Sequence, residues 1–282
     1  MVKVIKSGFY TTVQDLGRLG FQQYGVPVSG VMDSYSARLA NALLNNDIDA
    51  AVLEITMTGP VIVFTSDTLI CISGADISPQ CNKDSIKLNH VIKITKGDEI
   101  SFGKLQFGFR CYLAVYDGFQ TELVMKSKSM YKNITSPFII SDGDELSISD
   151  YNAETEISHS SIKVNSDHFE SKELKTFKGP EFEKLSKKQQ KLLFSNDFTI
   201  AKENSRMAYQ LNERIENNLK PIITSLVLPG TVQLTPSGQL IVLMRDCQTT
   251  GGYPRVLQLC EKSISILSQK FTGNAIHFEQ KE

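Results

Sequence analysis

Between residues 61 and 116 the apolar positions fall into short runs bounded by turn residues, the spacing of a β-rich chain. Val61-Ile62-Val63-Phe64, Leu69-Ile70-Cys71-Ile72 and Val91-Ile92-Lys93-Ile94 are rich in β-branched side chains. Asn82-Lys83-Asp84 and Lys96-Gly97-Asp98 supply turn chemistry between such runs. The alternation Met1-Val2-Lys3-Val4-Ile5-Lys6 predicts an opening strand, and Leu240-Ile241-Val242-Leu243-Met244 a buried one. Gly97-Asp98-Glu99-Ile100-Ser101-Phe102 is echoed by Gly143-Asp144-Glu145-Leu146-Ser147-Ile148. The echo reads as one device used twice, a turn that launches an alternating strand, rather than as two acidic sites. It suggests a meandering barrel.

Helical periodicity is confined to short stretches. Asp33 or Ser34 can cap a helix through Leu44, with Ala37, Ala40, Leu43 and Leu44 on one face. Ser186 with Gln189 forms a capping-box pattern for a helix to Phe194, and Gly179-Pro180 stands just before it. Residues 263–269 predict a last short helix before a strand over 275–278. The polar stretch 150–178 has little periodicity and is read as a linker. Few helices and many strands predict a mainly β fold, a barrel or a sandwich.

Composition narrows the function. Of 282 residues, 30 are Lys or Arg and 31 Asp or Glu, a formal charge of −1, so neither nucleic acid nor an anionic membrane is an expected partner. No apolar run reaches the length of a membrane span, and the first residues lack the apolar core of a signal peptide. The expected location is the cytoplasm. Five scattered cysteines without CxxC spacing fit reduced thiols better than a zinc site or a redox pair. The four histidines, His90, His159, His168 and His277, form no ligand pair, and no metal is expected. Asn133-Ile134-Thr135 matches a glycosylation acceptor only incidentally.

Two distant segments are dense in chemistry. The first combines Gln14, Asp15, Arg18, Ser29 and Asp33 with Gly17, Gly25, Pro27 and Gly30, small residues that let backbone approach a ligand. The second is Asp246-Cys247-Gln248-Thr249-Thr250-Gly251-Gly252-Tyr253-Pro254, directly after the buried strand. A carboxylate, an amide and two hydroxyls beside a Gly-Gly pair can direct donors at an oxygen anion. Asp246, Gln248, Thr249, Thr250 and Asp15 are therefore the candidate catalytic residues. Gln14, Arg18, Ser29, Asp33, Arg206, Gly251, Gly252 and Tyr253 are the candidate substrate contacts. Arg18 and Arg206 suit a substrate carboxylate through their planar forks, although about half of the arginines near such motifs serve in structural ion pairs. Asp15, Asp33 and Asp246 are placed for proton transfer by position alone. Cys247 has no nearby histidine to generate a thiolate. Ser129-Met130-Tyr131-Lys132 matches SxxK without a companion KTG, a chance match. Walker, GxGxxG and GxSxG motifs do not occur, and Val124-Met125-Lys126 lacks the flanks of a biotin-attachment lysine.

These segments, together with 25–41, Leu53-Glu54, Gly59-Pro60, 110–118, 205–211, 229–233 and 238–254, resemble the 5-oxoprolinase C subunit and the biotin-dependent carboxyltransferase family, which includes the second-subunit region of allophanate hydrolase and urea amidolyase. The resemblance runs nearly end to end, so residues 1–282 are expected to form one carboxyltransferase-type module of subdomains A and B. It implies two cyclophilin-like β-barrel lobes, near 1–160 and 170–282, whose sequences can interleave. It also implies work beside subunit-B-like and subunit-A-like partners, cleaving 5-oxo-L-proline to L-glutamate with ATP shared among the subunits. Two other roles follow from the same resemblance. One is a carboxyltransferase component of a urea amidolyase-like enzyme, with biotin attached to another chain. The other is a non-enzymatic regulator of a kinase-inhibitor-like, subunit-B-like protein. Asp117-Gly118 replaces the family's Gly-Gly, and Ala208 and Gln210 replace a glycine and an arginine.

Overall fold

The computed structural model describes residues 1–151 and 166–281. The chain divides into two compact units, residues 1–18 with 29–166 and residues 19–28 with 167–282. Among the described residues strands dominate, with four short α-helices: Ser34–Leu43 (α1), Asp167–Glu170 (α2), Lys187–Ser195 (α3) and Glu261–Ser268 (α4).

The first unit is built on two sheets. The six-stranded sheet runs Glu145–Leu146, Val2–Lys6, Val61–Phe64, Glu99–Phe102, Pro79–Cys81, Asp84–Ser85. The five-stranded sheet runs Tyr10–Gln14, Val52–Thr56, Phe107–Val115, Thr68–Asp76, Val91–Ile94. Val2, Val4, Ile62, Phe64 and Ile100 from the first meet Val13, Leu53, Ile55, Ile72, Leu113 and Val115 from the second in one core. The opposite face of the five-stranded sheet is covered by α1, whose Ala37, Ala40 and Leu43 pack on Val52, Cys71, Tyr112 and Ala114. A sheet buried on both faces needs continuous apolar strands, which is why 69–72 and 111–115 do not alternate.

The second unit contains a closed seven-stranded barrel in the order Glu173–Lys178, Arg255–Leu259, Thr231–Leu234, Gln239–Leu243, Ala208–Arg214, Asp197–Asn204, Ala275–Gln280. Antiparallel neighbours make most of the ring. A parallel pair, Glu173 beside His277 through Thr176 beside Gln280, closes it. Inward residues such as Leu174, Ile200, Leu211, Val232, Val242 and Phe278 are buried, as a small filled barrel requires, while outward positions are mixed: Lys175 is exposed and polar, Phe177 exposed and apolar, and Ile241 packs with Val227 and Cys247.

Two expectations change. Among the described residues one barrel closes, not two: the first unit buries its apolar faces sheet against sheet and under α1, which leaves no need for closure. The stretch 150–178 is not simply a linker. Residues 152–165, with His159, lie outside the described residues, but 167–170 is α2 and 173–178 is a barrel strand. Its partner strand is about a hundred residues away in sequence, so local periodicity carries no trace of the pairing.

Asp33 caps α1, its Oδ1 accepting from Tyr35 N at 3.1 Å and Ser36 N at 3.2 Å. Ser186 and Gln189 form a capping box on α3. The two echoed turns share one construction: Asp98 Oδ2 accepts from Thr95 N at 2.7 Å, and Asp144 Oδ2 from Ser141 N at 2.8 Å. Among the described residues no helix is long and apolar enough to cross a membrane.

Candidate functional site

The two chemistry-dense segments belong mainly to different units. In unit one, Asp15 ends the strand Tyr10–Gln14 and organises what surrounds it. Its Oδ1 accepts from Gly17 N at 2.8 Å, Ser127 Oγ at 2.7 Å and Ser129 Oγ at 2.6 Å, and its Oδ2 from Lys128 N at 2.5 Å. A carboxylate that accepts four such bonds ties the strand end to the 127–129 loop. Ser129 is thereby accounted for without any role for Lys132. Arg18 is wholly buried and donates through Nη2 to Ser129 O at 2.5 Å and through Nε to Val124 O at 3.5 Å. Gln14 Nε2 bonds Thr12 Oγ1 and Met130 O. Three of the predicted residues thus bind the 124–130 segment to the strand end.

Ser29 and Asp33 flank a second node. Glu54 Oε2 accepts from Met32 N at 2.6 Å and from Tyr112 Oη at 2.8 Å, while Tyr112 Oη accepts from Asp33 N at 2.8 Å. Glu54 and Tyr112 are both buried, and burial, with the Glu54 and Asp33 charges beside it, pushes the Tyr112 hydroxyl well above its ordinary range. Ser29 sits at φ 56° with a fully buried Oγ that has no hydrogen-bond partner among the described residues. The next residue explains the tight backbone: a Cβ at Gly30 would lie 2.8 Å from Gly17 N. Gly30 is required by that contact.

In unit two, the second segment follows the strand Gln239–Leu243. Asp246 and Arg206 form a bidentate pair, Nε to Oδ2 at 2.8 Å and Nη2 to Oδ1 at 3.1 Å, and both residues are buried. Each is engaged by the other, the geometry of a support rather than of a substrate clamp. Beyond it, Thr250–Gly251 pairs with Ser225–Leu226 in a two-stranded ribbon, extended by Val227 N to Thr249 O at 3.1 Å and Ile222 N to Gly252 O at 2.9 Å. Gln248 and Thr249 are half-buried and Thr250 is exposed, and none of their side chains hydrogen-bonds within the described residues. Tyr253 is 40% exposed on the same run. Three unengaged polar side chains on a pinned ribbon contrast with the fully bonded Asp15, Gln14 and Asp246.

Gln233 went unnoticed in the sequence. It is buried on the strand Thr231–Leu234, its Nε2 has no partner among the described residues, and a Cβ added at Gly251 would lie 2.5 Å from that nitrogen. The glycine therefore makes room for the amide. A polar residue inside an otherwise buried strand was the available signal. Arg255 adds a further support, donating from Nε and Nη2 to Glu181 at 2.9 and 3.0 Å and from Nη1 to Leu226 O at 2.9 Å. The bond to that guanidinium holds the Glu181 carboxyl below its ordinary range. Burial, with Asp246 adjacent, pushes the Cys247 thiol up to about 12, so it stays protonated. No cluster of three His, Cys, Asp or Glu side chains is arranged for a metal ion among the described residues.

The family described as "Carboxyltransferase domain, subdomain A and B" matches residues 24–280. The chain belongs to this family. Among its carboxyltransferase relatives, the 5-oxoprolinase C subunit of Escherichia coli (strain K12) is 31% identical over 99% of this chain and 91% of its own length. The protein of the same name from Haemophilus influenzae is 26% identical over the same shares. Urea amidolyase of Lachancea kluyveri is 42% identical over 46% of this chain and 7% of its own length. The carboxyltransferase fold recurs in the crystal structure of TTHA0988, with a TM-score of 0.86 at 24% identity over 99% of this chain and 55% of that one. It recurs again in Kluyveromyces lactis urea amidolyase, with a TM-score of 0.85 at 24% identity over 98% of this chain and 18% of that one. Where the carboxyltransferase resemblance led us to expect Gly-Gly, Asp117 holds φ 59°, with its N–H on Asn46 Oδ1 and its Oδ2 accepting from Ser149 Oγ. The left-handed backbone of that turn is stabilised by these side-chain bonds.

Proposed function

We propose that this chain is the carboxyltransferase component of a multisubunit enzyme and that its substrate is a small cyclic ureide or amide. The observation that carries this reading is the Gln248-Thr249-Thr250 rim, three polar side chains without bonds of their own within the described residues, held on the pinned ribbon. A ureido or lactam carbonyl is a poor electrophile whose oxygen gathers negative charge when it reacts. Donors fixed where that charge develops lower the barrier without having to reorganise. Thr249 and Thr250 hydroxyls and the Gln248 amide supply such donors, and Gly251-Gly252 keeps side chains out of the approach. Arg206 with Asp246, and Arg255 with Glu181, act as supports that hold the ribbon in place. N-carboxybiotin on a partner chain would supply the carboxyl group: its N–carboxyl bond breaks, a new bond forms to the substrate amide or ureide nitrogen, and the proton that nitrogen gives up passes to the biotin ureido nitrogen. The hydroxyl and amide donors of the rim suit a cyclic ureido carbonyl, and ATP chemistry is assigned to partner subunits.

A second reading is cleavage of 5-oxo-L-proline to L-glutamate. It is favoured by the end-to-end match to two bacterial chains named as the C subunit of 5-oxoprolinase. One experiment separates the two. The chain is assembled with subunit-A-like, subunit-B-like and biotin-carrying partner chains and supplied with ATP, and two products are followed: glutamate from 5-oxo-L-proline, and labelled carboxyl from bicarbonate. Avidin-sensitive incorporation of label supports carboxyl transfer. Glutamate release indifferent to avidin supports the second reading. An intact complex that does neither overturns both.

A further inference from the structure

On the 120–147 stretch that Gln14 and Asp15 bind from behind, unit one holds a cavity of about 260 Å³ lined by 120–122, Lys128, Met130, 135–137 and 145–147. Met130, Pro137 and Leu146 give it apolar walls. Two polar groups there keep bonding capacity in hand. Lys128 Nζ donates to Phe119 O at 3.1 Å and to Gln120 Oε1 at 2.9 Å. Both acceptors are neutral, an ammonium has a third N–H, and no carboxylate pairs with it among the described residues. Thr121 Oγ1 is buried and has no hydrogen-bond partner among the described residues.

The lysine is also held from behind. Ser127 Oγ, Lys128 N and Ser129 Oγ all end on the Asp15 carboxylate, and Gln120 Nε2 is tied to Asp117 O and Gly118 O. A half-buried cation, fixed at its base and bonded to no carboxylate among the described residues, is a place for an anion. Glu122 and Glu145 also line the cavity, and their charge disfavours a dianion such as phosphate.

We propose that this cavity binds a small organic monocarboxylate, with the carboxylate on Lys128 Nζ and Thr121 Oγ1 and the apolar body against Met130, Pro137 and Leu146. The site lies within unit one and rests on neither reaction assigned above.

The test uses the full chain with ¹³C-methyl methionine, its Met130 signal assigned by its loss in Met130→Leu. Benzoate, its neutral isostere benzamide and inorganic phosphate are titrated separately. Benzoate shifts the Met130 methyl signal saturably, and benzamide and phosphate each bind at least about tenfold more weakly. Lys128→Met weakens benzoate by about tenfold or more, and Thr121→Val weakens it less, with circular dichroism unchanged. Should Lys128→Met fail to fold, Thr121→Val and the benzoate–benzamide comparison decide the matter. A missing benzoate shift, equal binding of benzamide, or phosphate binding as tightly as benzoate overturns the proposal.

Discussion

Breaking the Arg206–Asp246 pair should unfold the second unit far more readily than removing the pair altogether. Both side chains are buried, with 6% and 10% of their surface exposed, and two bonds of 2.8 and 3.1 Å join them. Asp246→Ala takes the carboxylate away and leaves the guanidinium buried without it. Such a loss costs about 3–5 kcal/mol, mainly from the stranded charge. Replacing both partners, Arg206→Met with Asp246→Ala, removes the charge as well as its partner. The double variant should then lose less than the single one, despite carrying one more substitution. The backbone bond from Asp246 N to Arg206 O at 2.9 Å is available to every variant. Urea unfolding followed by far-ultraviolet circular dichroism reads the difference, and the single variants and the double complete a cycle whose coupling should exceed about 2 kcal/mol. With two compact units, two transitions are anticipated, and only the one that reports the barrel should move. If Asp246→Ala cost under about 1 kcal/mol, or if the two single effects added without coupling, the pair would be a solvated surface contact and its supporting role would fall.

Other expectations follow from the same geometry. Thr250→Val should cut turnover of the assembled enzyme while changing stability by less than about 0.5 kcal/mol, since the side chain is exposed and unbonded; full activity in a steady-state assay would remove the oxygen-binding role. Asp33→Ala should destabilise unit one by about 0.5–2 kcal/mol through loss of the α1 cap, measured as a shift in the urea midpoint; Asp33→Asn should recover most of it. Arg255→Met should abolish an acid-side contribution to stability. Glu181 has a carboxyl held below its ordinary value of 4.5 by the Arg255 bond, so that contribution is complete above pH 4.5 and fades as the pH falls through the lowered value. A difference between parent and variant that persists unchanged down to pH 2 would contradict this. Gly251→Ala should be rescued in part by Gln233→Ala, because the new Cβ presses on the Gln233 amide; equal melting temperatures for the single and double variants would count against that contact.

Local chemistry made several elements legible. Val61–Phe64 and Val91–Ile94 appear as strands with the bounds their β-branched runs suggest, and Asp33 and Ser186 cap the helices they precede. The repeated Gly-Asp-Glu pattern is one turn made twice, because an aspartate reaching back three residues needs only nearby backbone. Closure was not legible. The barrel closes where Glu173–Thr176 runs parallel to His277–Gln280, and the first unit stays as two sheets because α1 covers one of them. Both outcomes depend on which faces meet across the chain, and no window of sequence contains that.

The candidate site shows the same division more sharply. Residue type put Asp15, Asp246, Arg18 and Arg206 forward as the reactive or substrate-binding groups, since charge in a glycine-rich segment is what catalysis so often needs. Folding engages them: Asp15 with Gly17, Ser127, Lys128 and Ser129, Asp246 with Arg206, Arg18 with the carbonyls of Val124 and Ser129. A buried charge has to be satisfied before anything else, and the cost of leaving it alone exceeds what most ligands return on binding. The groups left with capacity are weaker and neutral, Gln248, Thr249, Thr250 and Thr121, together with the third N–H of Lys128. A neutral hydroxyl at a surface can wait for a ligand at little cost, whereas a buried carboxylate cannot. Oxygen-directed donors rather than a charged nucleophile are what the described residues leave available, and the proposed cyclic ureide or lactam substrate would call on them.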